Sequence, residues 1–162
     1  MPKISTMLQR IQTVYLALGS IIMGLQGTLS MAIFFGSSKS YKMTVFGVQP
    51  KTDVAFAIPA WTLGALGVLL VVAMIYALLQ FKNRPLQMRV IRIVNLMLLA
   101  HIVLGFYMVN DYSGVLRNNG FEHSLEYGFG LIVPLLAVVF TMLASKAIKK
   151  DDELIRSADR LR

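Results

Sequence analysis

Residues able to do chemistry are sparse in this chain, and their positions set the first constraint. There are two histidines and no cysteine. The lack of cysteine excludes a disulfide framework, thiolate metal ligands, cysteine-ligated iron–sulfur clusters and a cysteine nucleophile. His101 is the one ionisable side chain deep within a long apolar run. Such a group is a functional candidate by default, because burying it in hydrocarbon is costly. Asn95 belongs to the same run but lies six residues away, about 240° round a helix and so on another face. No Asp or Glu falls within an apolar run, whereas a proton relay needs a chain of titratable groups. His123 falls in an outer loop, which separates it from His101 as a haem-ligating pair. The simplest chemistry for His101 is therefore a neutral ring hydrogen-bonded to another helix, with Tyr15, Gln26 or Tyr76 as partner. No GxGxxG, P-loop, HExxH or GxSxG pattern occurs. The expectation is no catalytic residue, no cofactor and no metal, with His101, Asn95, Tyr15, Gln26 and Tyr76 as the candidate intramembrane polar site.

These residues are carried by a chain of 162 residues, 56% hydrophobic and only 15% charged, against about 45–50% and 25% in soluble domains. Four stretches are long enough to cross a hydrocarbon core of about 30 Å, which takes roughly 20 apolar residues as a helix. They cover about 11–35, 57–81, 93–110 and 127–145. The first is too long for the apolar region of a signal peptide, and no small-x-small cleavage site in it is followed by a polar mature start, so it reads as an uncleaved span. Pro59 suits the first turn of the second helix and Pro85 the start of the third. Trp61 falls at interface depth. Pro134, inside the fourth run, frees the Gly130 carbonyl and predicts a kink. Ser20, Gly24 and Thr28, and likewise Ala60 and Gly64, are spaced for close helix contact. Packing within one bundle accounts for them as well as a homo-oligomer does, so association is compatible but not indicated.

The net charge is +8 and the isoelectric point about 10.0. The charges are confined to short segments rather than spread over a polar face, which argues against a soluble nucleic-acid binder. Twelve of the sixteen Lys and Arg residues fall in 1–10, 82–92 and 146–162. The other side holds Lys39, Lys42, Lys51 and Arg117, balanced by Asp53, Asp111, Glu122 and Glu126. Lys and Arg are retained in the cytoplasm, so both termini and the middle loop are expected inside. The lipid bilayer is the first partner, with anionic headgroups facing the basic side.

Between the runs, Tyr41–Phe46 is rich in β-formers and predicts a short strand or hairpin in the first outer loop. Asp111–Gly114 and Asn118–Gly120 predict turns in the second. The chain divides into a four-helix transmembrane domain, 1–149, and a charged helical tail, 150–162. In the tail, Asp152 and Arg156 are paired at i, i+4. Leu154, Ala158 and Leu161 form a narrow apolar stripe. Leu154, Arg156, Ala158 and Leu161 are the candidate contacts for a membrane or cytoplasmic protein partner. At the other terminus, Ile4, Met7, Leu8 and Ile11 share one face.

The stretch Met7-Leu8-Gln9-Arg10-Ile11-Gln12-Thr13-Val14-Tyr15-Leu16 resembles the M-I-Q-R-I-Q-T-x-Y-L start of an uncharacterised family of small membrane proteins from Bacteroidota-type bacteria, a domain of unknown function. Members of that family end in a charged helix similar to Lys149–Arg162. The likeness extends over the whole chain in length and layout. It implies a four-helix protein of the bacterial inner membrane and supplies no activity or substrate. The fold expected is an all-α integral membrane bundle of four helices, both termini inside, with a short β element in the first outer loop. A non-enzymatic accessory or scaffold protein is expected. The alternative is a small transporter, or a component of one, with a cavity near His101 and Pro134.

Overall fold

A computed structural model of the chain describes residues 2–50 and 58–160, with the backbone alone at 2–10, 155–156 and 158–160. The described chain is mostly helical: α1 is Pro2–Leu25, α2 Trp61–Leu79, α3 Arg84–Asn118 and α4 Val133–Arg160. A sheet joins them, with β1 at Ala32–Gly36, β2 at Ser40–Thr44, β3 at Gly47–Gln49 and β4 at His123–Tyr127. Its order is β3-β2-β1-β4 and every pairing is antiparallel. The expected β element exists, but it has four strands and unites both loops expected on the outer side.

The first apolar run is not a single span. Helix α1 stops at Leu25, a 3-10 turn follows at Gln26–Thr28, and Ala32–Gly36 is strand. A short apolar run reads equally well as buried strand or buried helix by hydrophobicity alone. Here Ile33, Phe34 and Phe35 favour the strand, because β-branched and aromatic side chains fit a pleated surface. Strand β1 also has neighbours on both edges, so its backbone groups are fully paired. Ala32 and Phe34 turn inward, and Phe35 turns out.

Helix α3 is longer than expected, 35 residues in place of a run over 93–110. Asn83 caps it by accepting from the Leu86 N–H at 3.2 Å, with Pro85 in the first turn as expected. Asp111–Gly114, expected as a turn, is helical. The Asn118–Gly120 turn forms: Gly120 has φ 78°, its N–H reaches the Arg117 carbonyl at 2.9 Å, and Phe121 N–H reaches the Leu116 carbonyl at 3.0 Å. This pair of bonds is a Schellman ending, which needs a residue tolerant of positive φ.

Pro134 produces no mid-helix kink. The fourth run begins as strand β4 and a 3-10 turn at Phe129–Leu131, so Pro134 is the second residue of α4. A missing N–H is harmless there, since first-turn amides have no partner within the helix.

Among the described residues, three helical stretches are long and apolar enough to cross a membrane: Trp61–Leu79, Arg84–Asn118 and Phe129–Leu154, whose apolar 18-residue segments have mean hydropathies of 2.5, 1.9 and 2.2. Their outer faces carry exposed Val, Leu and Ile, such as Val72, Leu96 and Val139. The polar groups Gln12, Gln26, Gln87, His101, Thr141 and Asp151 are buried instead. The inner core has three layers. Phe34, Met43, Leu63 and Met108 lie under the sheet; Met23, Leu70, Met74 and Leu98 form the middle; Leu16, Ala77, Ile91 and Ile148 form the far end.

The sheet docks on α2 at Gly64. Gly64 N–H donates to the Val45 carbonyl at 3.0 Å, and a Cβ at Gly64 would lie 2.9 Å from that oxygen and 2.6 Å from the Phe46 ring. The Ala60–Gly64 face therefore receives a hairpin rather than another helix. Gly24, in the other small-residue row, has nothing within 4 Å of a built Cβ. At Gly67 a Cβ would make only ordinary contacts, 3.7 Å from His101 Cε1 and from Met23. Gly64→Ala is expected to destabilise the fold by about 1–3 kcal/mol through overpacking. Gly67→Ala is expected to be neutral or to stabilise by up to about 1 kcal/mol, from helix propensity. Thermal unfolding of both variants in detergent checks the contrast.

Candidate functional site

Gln26 opens the 3-10 turn where α1 ends, so its side chain points into the bundle rather than along a helix face. Its Nε2 donates to the Gly130 carbonyl at 2.9 Å. Its Oε1 lies 3.0 Å from His101 Nε2. With the amide nitrogen committed to Gly130, Oε1 is the acceptor and His101 donates from Nε2. The Gly130 carbonyl belongs to the 3-10 turn that precedes α4, and Gln26 is the side chain that reaches it. One buried amide thus joins the end of α1, the middle of α3 and the entry to α4. His101 is 1% exposed and its Nδ1 has no hydrogen-bond partner.

The other sequence candidates do not join this cluster. Asn95 accepts from the Thr141 hydroxyl, a second link between α3 and α4. The Tyr15 ring lies 6.5 Å from that of Phe140 on α4, and Tyr76 is exposed on α2. Of the three partners anticipated for His101, the structure brings Gln26 to it.

His123 forms a separate lock. Ser113 Oγ lies 2.9 Å from Nε2, and Nδ1 lies 2.9 Å from the Phe121 carbonyl oxygen. Nδ1–H therefore donates to Phe121, and Nε2 accepts from Ser113. The ring stands edge-on to Phe34 at 5.2 Å and stacks on Phe121 at 5.5 Å. Ser113 is only 7% exposed, so this serine–histidine contact pins β4 to α3 and presents no open nucleophile. It lies twelve residues along α3 from His101, about 18 Å at 1.5 Å per residue, so the two rings do not form a pair. Sequence reasoning missed it because Ser113 was assigned to a turn.

Two grooves flank the bundle. One, of about 400 Å³, runs between α1 and α2, with Gln26 and Gly67 on its floor and Val68, Val72 and Phe46 on its walls. Its lining is largely apolar. Gly24 and Thr28 border it, which is why their row finds no helix to pack on. The other, of about 490 Å³, lies at the far end between α3 and α4 and is bordered by Arg84, Arg89, Arg92 and Lys149. Beside it Arg84 Nη2 donates to Asp151 Oδ2 at 2.6 Å. Asp151 is 1% exposed, although it is the second residue of the expected tail.

Helix α4 passes the expected domain boundary at 149/150 without a break. Leu154 is 44% exposed on it. The side chains of Arg156 and Ala158, and the whole of Leu161, lie outside the described residues, as do the pairing expected of Arg156, the N-terminal face at Ile4, Met7 and Leu8, and the start of the second run at Ala57. Among the described residues no group of three or more His, Cys, Asp or Glu is placed to hold a metal ion.

Inward polar groups, outward apolar faces and three helices of crossing length define a helical protein suited to a bilayer. The chain belongs to the family described as Domain of unknown function (DUF4293), whose model matches residues 8–161. That match takes in most of both terminal stretches that suggested the resemblance. No curated protein matches the chain.

Gln26→Leu would leave the Gly130 carbonyl unpaired and remove the partner of His101 Nε2. Hydrogen bonds between membrane helices average about 0.6 kcal/mol, and unpaired buried groups cost about 1–3 kcal/mol. A loss of roughly 1–3 kcal/mol is expected in detergent unfolding, with Tyr76→Phe unchanged as the control.

Proposed function

We propose that the protein is a non-enzymatic accessory or scaffold protein of the bacterial inner membrane, spanning it four times with both termini in the cytoplasm. Support for α1 as the fourth span comes from its exposed face. Ile11, Val14, Leu18, Ile21 and Leu25 alternate in steps of three and four, and all are at least 39% exposed. A continuous apolar stripe of that length suits hydrocarbon better than water. The orientation rests on the Lys and Arg distribution, with the sheet end outside. The bacterial assignment rests on the family resemblance of the two terminal stretches.

The observation that carries the scaffold reading is the unbroken α4. It leaves the apolar segment and continues to Arg160 as a charged helix that exposes Leu154. A helix prolonged beyond the bilayer with an apolar stripe offers a groove-binding face to a membrane or cytoplasmic protein. Within the bundle, several polar side chains are engaged with one another: Gln26 with His101 Nε2, Asn95 with Thr141 and Ser113 with His123.

A second reading, a small transporter or transporter component, draws on the 400 Å³ groove at Gln26. Gln26 connects that groove to His101 and to the Gly130 carbonyl. The reading is weakened by His101 itself, which packs behind Gln26 at 1% exposure.

The chain lacks cysteine, so single cysteines report sidedness cleanly. Lys39→Cys and Arg117→Cys are expected to label from the periplasm, and Lys82→Cys and Leu154→Cys only after the membrane is permeabilised. Labelling of all four from one side would contradict the four-span topology. Removing residues 154–162 is expected to abolish crosslinked partners in native membranes. Unchanged partners would overturn the scaffold role and leave the topology standing.

A further inference from the structure

The basic groove between α3 and α4 has a composition that orientation does not explain. A topology signal needs positive charge on one side of the membrane, at any azimuth. Here Arg84, Arg89, Arg92 and Lys149, from two helices, converge on one cavity of about 490 Å³. Arg84 is held by Asp151. No ion pair between described residues engages Arg89, Arg92 or Lys149, and all three are exposed. The three arginines also occupy the first turns of α3, which has no acidic residue in its first turn. Arg89 and Arg92 stand three residues apart on one face of α3, so their charges repel one another. An anion seated between them relieves that repulsion. Met88 and Ile148 supply an apolar wall to the same cavity, and exposed Ile93 and Leu96 continue that wall along α3.

We infer that this groove is a binding site for the phosphate of an anionic phospholipid, with the headgroup among Arg89, Arg92 and Lys149 and an acyl chain along Met88 and Ile93. Charge recognises the phosphate. The apolar wall selects a lipid over a free anion, because only a lipid fills both halves of the cavity. Basic pockets between helices at the cytoplasmic surface bind anionic headgroups in this way.

The inference rests on the chain residing in a bilayer, but its test does not depend on which way round it lies. Native mass spectrometry of the detergent-purified full chain, titrated separately with phosphatidylglycerol, phosphatidylcholine and inorganic phosphate, reads occupancy directly. One phosphatidylglycerol is expected to bind ahead of phosphatidylcholine, and inorganic phosphate is expected not to displace it. Arg89→Gln and Arg92→Gln each remove one exposed charge and should weaken phosphatidylglycerol about fivefold, given about 1 kcal/mol per basic residue at an anionic surface. Arg117→Gln, at the sheet end, should change nothing. Arg89→Lys keeps the charge and should bind within about twofold of the parent, which separates lost charge from misfolding. Equal binding of the two lipids, or full affinity in both Gln variants, overturns the site. Displacement by inorganic phosphate overturns the lipid assignment.

Discussion

Gln26 stands where α1 stops, and three separate parts of the chain meet at its amide. The constraint behind this is that backbone and side-chain polar groups away from water must find partners inside the protein. Breaking a helix after Leu25 exposes its last carbonyls, and the 3-10 turn ahead of α4 leaves the Gly130 carbonyl in need of a donor. The Gln26 side chain, at the first break, supplies the donor at the second. The remaining amide oxygen takes up His101. The sheet follows from the same break: once the chain leaves the helix, residues 32–36 pair on both edges and close the end of the bundle.

That arrangement changes what a buried histidine means here. An intramembrane ionisable group is usually read as a functional site. His101 is held by a single neutral amide, with no carboxylate beside it and no groove reaching its ring. Its geometry serves to fix α3 against the end of α1. Interior polarity of this kind supplies specificity of packing, since lipid tails give helices no hydrophobic reason to choose one partner over another.

Much of the helical layout was legible from apolar run length, cap residues and charge. Pro85 marked the start of α3, because its ring fixes φ and its missing N–H is tolerated in a first turn, and Asn118–Gly120 was legible as a turn although the helix that runs into it was expected to stop near Asn110. The end of the first run was not legible. Hydrophobicity is the same for a lipid-facing helix and for a strand buried on both edges, and the partner that decides it, β4, lies about 90 residues away in sequence. Pro134 was misread for the same reason: its effect depends on where the helix begins, and β4 delays that start. Gln26 was legible only as one of three partners for His101. Its second bond needed the position of Gly130, which no local pattern reports. The basic groove was visible as charge but not as a cavity, since Lys149 and Arg89 converge only through helix packing.

The Gln26–His101 junction is a structural joint, buried at both side chains, and the scaffold role proposed for the extended α4 depends on its being dry. With two histidines in the chain, selective 15N-histidine labelling resolves both imidazoles by NMR. The His101 Nε2–H signal is expected to persist after transfer into deuterated water, because both partners of the bond to Gln26 are buried. Exchange of that proton as fast as in free imidazole would contradict it and put water, and with it a transport route, at the centre of the bundle.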